Sequence, residues 1–204
     1  MKVVITEKDY FLGETQVKLI QYKGGEVRYR CKSKIIVVKN EHLIDSISFN
    51  PEALGGMYGV SKPTKYYKHL LFTKHGDYDG RSIIINEKGT ISNIVGGQNL
   101  IDTLSKILFT IYESDLSGFA VFNLKTDSII LVKEEFDERP MGFHKISANI
   151  YLMNCSNDET DETSFWKIDL KSKNIIQIDT NSYAIDTLKR IIIIPVEDVN
   201  CICK

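Results

Sequence analysis

Ile101-Asp102-Thr103-Leu104 recurs as Ile185-Asp186-Thr187-Leu188, 84 residues further along (185 − 101). That distance is two steps of 42, and Phe143-His144-Lys145-Ile146 stands at the midpoint with the same apolar ends. After each copy comes a short polar turn and then an apolar run: Ile107-Leu108-Phe109, Ile150-Tyr151-Leu152 and Ile191-Ile192-Ile193. His69-Leu70-Leu71-Phe72 fits the same place one step earlier. Ser33-Lys34-Ile35-Ile36 echoes Ser105-Lys106-Ile107-Leu108. Strand starts are therefore expected at 35, 70, 107, 150 and 191, and a chain that repeats at this period is built from one supersecondary unit used several times.

The inside of the unit repeats as well. Asn86-Glu87-Lys88-Gly89-Thr90, Asn123-Leu124-Lys125-Thr126-Asp127 and Asp169-Leu170-Lys171-Ser172-Lys173 occupy matching places. Each lies between two apolar runs, and Asn or Asp followed by Lys with Gly or Ser is hairpin chemistry. Period-2 alternation and short apolar runs dominate, while helical spacing is sustained nowhere over a dozen residues. The third copy carries extra residues in an acidic loop, Ser156 to Thr163.

A unit of four strands and about 40 residues resembles the blade of β-propeller repeat proteins as a class. The resemblance covers roughly residues 27–204. It lies in the period rather than the letters, because the Gly-His and Trp-Asp signatures of WD repeats and the double-glycine spacing of kelch repeats are absent. It implies an all-β domain of antiparallel four-stranded repeats spanning residues 1–204, with five blades. The last blade is short, and the resemblance implies that residues 1–26 complete it. An open β-meander or a β-sandwich would use the same hairpins.

Composition narrows the function. Hydrophobic residues make up 43% and charged residues 26%, which suits a packed core and excludes a disordered chain. With 26 Lys+Arg against 27 Asp+Glu, no basic stripe points to nucleic acid. The one basic stretch, Lys23 to Lys39, alternates with apolar residues as a strand face does. No apolar run approaches the ~20 residues of a membrane span, and the N-terminus lacks a signal-peptide pattern. A cytoplasmic protein is expected.

Recognisable catalytic constellations are missing. The cysteines at 31, 155, 201 and 203 and the four histidines form no paired ligand set, so neither a metal nor a cofactor is expected. Asp77-Tyr78-Asp79-Gly80 begins like a calcium loop but runs straight into an apolar strand, as a hairpin turn does. Two clusters suit binding. Tyr58, Tyr66 and Tyr67 lie among Lys62, Lys65 and Lys68, an aromatic and basic mixture suited to a partner surface. Asp158, Glu159, Asp161 and Glu162 form an acidic insertion suited to a basic partner.

The expected function is a non-catalytic protein-binding module, of which immunity and adaptor proteins are examples. The alternative is a hydrolase acting on a glycan or small molecule in a central pocket, with Asp102 and Asp186 as repeat-equivalent carboxylates.

Overall fold

A computed structural model describes residues 4–23, 31–49, 59–75, 80–112, 117–157, 160, 162–178, 183–185 and 193–195. These residues are all strand, turn and connection, and none of them is helical. They form successive antiparallel sheets in chain order. Sheet one contains β1 (Val4–Leu12), β2 (Thr15–Lys23), β3 (Cys31–Lys39) and β4 (His42–Phe49). Sheet two contains β5 (Gly59–Val60), β6 (Thr64–Tyr66), β7 (His69–His75), β8 (Arg81–Asn86) and β9 (Ile91–Val95). Sheet three contains β10 (Gln98–Asp102), β11 (Ile107–Tyr112), β12 (Ser117–Asn123) and β13 (Ser128–Phe136). Sheet four contains β14 (Arg139–Lys145), β15 (Ile150–Ser156), β16 (Thr163–Asp169) and β17 (Asn174–Ile178). β18 (Tyr183–Ile185) pairs with β19 (Ile193–Pro195) in a further two-stranded sheet.

Each full sheet is a blade-like meander. In sheet two the first position is split, because β5 and β6 both pair with β7 on either side of Ser61-Lys62-Pro63. Proline has no N–H to give a ladder, so the strand breaks there.

The repeated tetrapeptides hold equivalent places as far as they are described. Ile101 pairs with Leu108 between the first two strands of sheet three. Ile185 pairs with Ile193 in the same way between β18 and β19. Phe143 pairs with Met153 in sheet four. The three matched turns also recur, each at the end of a third strand. Asn86 Oδ1 accepts from the amides of Lys88 and Thr90 at 2.9 and 3.0 Å. Asn123 Oδ1 accepts from Lys125 and Thr126 at 2.8 and 3.3 Å. Asp169 Oδ1 accepts from Lys171 and Ser172 at 2.9 and 3.4 Å. A short side-chain acceptor that holds its own turn amides is why Asn and Asp stand at this point.

One expectation is corrected. Ile35 lies on β3, a third strand, whereas Leu70, Ile107 and Ile150 lie on second strands. The two inner strands of a sheet are both apolar, so the letters around Ile35 match either one. Residues 4–23 of the segment 1–26 belong to sheet one among the described residues. β1 and β2 pair with each other, and β2 pairs with β3 along its length. Val17 and Leu19 bury their side chains beside Ile35 and Val37, which is the gain that holds it there. Closure of the last blade turns on residues 179–182, 186–192 and 196–204, which lie outside the described residues.

The cores lie in the seams. Side chains alternate across each strand, so one sheet feeds two seams. Leu70, Phe72, Ile83 and Ile85 face sheet one, while Leu71 and Ile84 meet Leu108, Ala120 and Phe122 of sheet three. Phe109 and Val121 face the other way, onto Tyr151, Met153 and Ile168 of sheet four. Sheets covered on both faces need continuous apolar runs, hence Ile83-Ile84-Ile85 and Phe119 to Phe122. Gly96 makes the link from sheet two to sheet three. At φ 110° and with the Thr110 carbonyl carbon 2.8 Å from where a Cβ would stand, only glycine passes.

Candidate functional site

In a meander the turns after strands one and three leave at one end of the sheet, and the turn after strand two leaves at the other. Hydrogen bonds tie the first pair together. The Leu124 amide donates to Lys106 O at 2.9 Å in sheet three, and the Leu170 amide donates to Asn149 O at 2.8 Å in sheet four. Neighbouring sheets join at the same rim. Tyr66 Oη donates to Thr103 O at 3.0 Å, and Lys145 Nζ donates to Ser105 Oγ. The result is one continuous rim of paired turns.

Asp102 organises its centre. Its Oδ1 accepts from the amides of Leu104 and Ser105, both at 3.0 Å, which folds the turn. Its Oδ2 accepts from Tyr151 Oη at 2.7 Å and lies 3.4 Å from Lys145 Nζ, both on sheet four. Burial pushes this carboxyl up, but the hydrogen bonds from Tyr151, Ser105 and Leu104 outweigh it and hold the group well below the usual carboxylate range. Burial, with the Asp102 charge beside it, pushes the Tyr151 phenol up.

The seam between sheets two and three has its own staple. His69 Nε2 lies 2.5 Å from Asp127 Oδ1, and Asn86 Nδ2 donates to Asp127 Oδ2 at 3.0 Å. His69 is buried and Asp127 is 31% exposed. Lys106 Nζ reaches Thr103 O at 2.6 Å and sits 5.4 and 5.6 Å from the ring centroids of Tyr66 and Tyr67, within cation–π range.

At the tips of the first turns stand large apolar side chains facing solvent. Tyr67 is 47% exposed, Leu104 84% and Ile146 47%. They occupy corresponding turns of sheets two, three and four. Between sheets three and four the rim is hollowed. An open cleft of about 540 Å³ lies between β10 and β14, with Leu100, Phe109, Met141 and Phe143 on its walls and Asp102 and Lys145 at its end. Beyond the Lys145–Ser105 bridge lies a second depression of about 400 Å³, with Leu104, Lys125, Asn149 and Leu170 on its walls.

The sequence candidates divide between the two rims. Tyr66 and Tyr67 are on the turn rim; Tyr66 is half-buried in the seam and Tyr67 is outermost. Tyr58, Asp158, Glu159 and Asp161 lie outside the described residues, as do Asp77 and Asp79. Glu162 is exposed on the opposite rim, where its carbonyl accepts from the Asn157 amide at 2.9 Å. Lys68 pairs with Glu87 at 3.3 Å. Asp102 is a single carboxylate in its cleft wall, spent on turn amides and a phenol, whereas glycoside hydrolysis needs two. Asp186 lies outside the described residues. Cys155 is buried, and burial with nearby Glu138 pushes its thiol up, which keeps it protonated.

Sequence reasoning passed over Leu104 and Ile146 as site residues, although their equivalence at the end of the tetrapeptide was visible. An apolar residue kept at a turn tip, where burial cannot explain it, was the available signal. The His69–Asp127 pair had no such signal, since its members are 58 residues apart.

No family model matches this chain, and no curated protein matches it. Among solved structures, it is similar to the β-propeller domain of the Trilobed protease from Pyrococcus furiosus, described as having an open velcro topology. Identity is 8% and the TM-score 0.38, covering 91% of this chain and 59% of that one. A puromycin-hydrolysing peptidase of Mycobacterium tuberculosis is similar at 8% identity and a TM-score of 0.33, covering 88% of this chain and 29% of that one. The chain thus spans less than two thirds of each. Among the described residues, no helix is long and apolar enough to cross a membrane.

Proposed function

We propose that this chain is a non-catalytic binding module that holds a protein partner on the rim of paired turns. One observation carries the reading: Tyr67, Leu104 and Ile146 stand exposed at corresponding turns of three consecutive sheets. Singly, exposed apolar residues are ordinary. In register along one rim, with Leu104 lining a depression, they have the form of a contact surface. The rim's carboxylates support the same reading, because Asp102, Asp127 and Asp169 are each engaged in holding turns or seams.

The test is affinity capture from the source organism with quantitative mass spectrometry. The wild-type chain is compared with a variant carrying Tyr67→Ser, Leu104→Asp and Ile146→Ser. These side chains are exposed, so folding by circular dichroism is expected to be unchanged. One stoichiometric partner, lost in the variant, is the expected outcome. Equal capture by both chains would defeat the reading. Turnover of a glycan panel that disappears in Asp102→Asn would replace it with the hydrolase.

A further inference from the structure

We infer that the cleft between the outer strands of sheets three and four, β13 and β17, is a second binding site, which takes an organic monocation with an apolar body. This goes beyond the rim reading above and does not rest on it. The cleft has a volume of about 560 Å³, which suits a small molecule. Leu131 and Phe136 of β13, Trp166 of β16 and Ile175 of β17 form its apolar wall. Phe136 is buried and packs edge-on to Trp166, with ring centroids 4.9 Å apart and planes at 69°. The indole N–H donates to Glu138 Oε2 at 2.8 Å. A ring held by both contacts loses little freedom when a ligand lies against it.

Glu138 supplies the charge. It is half-buried, and both its hydrogen bonds, from Trp166 Nε1 and Ser164 Oγ, go to Oε2. Oε1 accepts from none of the described residues. The two donors are neutral, so the carboxylate keeps its full charge. Among the described residues, no cation stands within ion-pair distance of it. The Cys155 thiol is pushed up by burial and then by this charge, so water screens Glu138 only in part. A half-buried charge with no counter-charge is costly to keep, and a bound cation would relieve that cost. The same carboxylate lines an adjoining depression of about 450 Å³. The remaining charges set the ligand's valence. Glu135 and Asp137 stand with Glu138 at one end of the cleft, and Glu162 lines the adjoining depression. Lys133 and Lys173 lie further towards the turn rim, and Arg139 lines neither hollow. Four carboxylates against two ammonium groups leave the two hollows net negative. The lysines oppose a second positive charge on the same ligand.

Trp166 is the chain's one tryptophan, so its fluorescence reads this cleft. The experiment is titration of the full chain with phenethylammonium, neutral 2-phenylethanol, the anion 3-phenylpropanoate and the polycation spermidine. A saturable change with phenethylammonium is expected. The neutral and anionic probes should bind at least about tenfold more weakly, as loss of a charged hydrogen bond implies. Glu138→Gln, with folding checked by circular dichroism, is expected to lose about as much. Should that variant not fold, the charged and neutral probes on the wild-type chain still decide. A parallel titration with acetyl-arginine methylamide separates two sources of the cation. Tighter binding than phenethylammonium assigns the site to a peptide side chain, and weaker binding assigns it to a free amine. Equal affinity for 2-phenylethanol, tighter binding of spermidine or no saturable response to any cation would each overturn the site. So would an unchanged affinity in folded Glu138→Gln. None of these results bears on capture of a partner at the turn rim.

Discussion

The seam between sheets two and three and the seam between sheets three and four use the same fold to different ends. Both close with a carboxylate of sheet three. In the first, Asp127 meets the His69 imidazole, and Lys106 lies against the Tyr66 and Tyr67 rings. In the second, Asp102 meets the Tyr151 phenol and Lys145, and open hollows remain on both sides of the staple. The residue ending the first strand makes the difference. It is Tyr66 in sheet two, a large ring laid across the seam, and Asp102 in sheet three, a short side chain that leaves the wall open. Repetition thus makes the scaffold, and the two seams differ at one position within the repeat.

The largest expected effect is on the apolar side of the second seam. Phe109 is buried, its ring 4.2 Å from Phe143 and 4.9 Å from Tyr151 between centroids. Phe109→Ala is expected to cost about 3–5 kcal/mol in guanidinium unfolding. Phe122→Ala in the first seam should cost a similar amount, and a much smaller loss there would mean that the two seams do not carry comparable cores.

Next come the staples. Tyr151→Phe removes a hydrogen bond to a charged group and is expected to cost about 1.5–3 kcal/mol. A double-mutant cycle on His69 and Asp127 is expected to return a coupling of about 1–3 kcal/mol, measured by urea unfolding. A zero coupling would demote that pair to mere proximity.

Acid should distinguish the second staple. Asp102 is more acidic folded than unfolded, so its contribution is fully present above its unfolded value of about pH 4. It is lost as pH falls towards the lower folded value. The stability gap between wild type and Asp102→Asn should therefore shrink as unfolding is repeated from pH 6 down to pH 3. The smallest effect belongs to Lys68→Ala. Its pair with Glu87 is exposed on both sides, so the change should stay under about 0.5 kcal/mol.

Much of this architecture is legible in the letters. The turns at Asn86, Asn123 and Asp169 announce themselves because a side chain bonding its own backbone is a local event. The buried runs announce themselves because a strand covered on both faces needs apolar residues at every position. The letters around Ile35 point to a second strand, whereas Ile35 lies on the third strand of sheet one. Alternation tells that a strand is half-buried and not which strand it lies beside.

What the amino-acid order determined alone was the unit: its period, its strands and the turns that end them, all short-range consequences of side-chain chemistry. What only the tertiary structure decided was the company those units keep. His69 finds Asp127, Asp102 finds Tyr151, and Lys145 finds Ser105. Such meetings join residues dozens of positions apart, and they depend on how twisted sheets stack rather than on any neighbour in the chain.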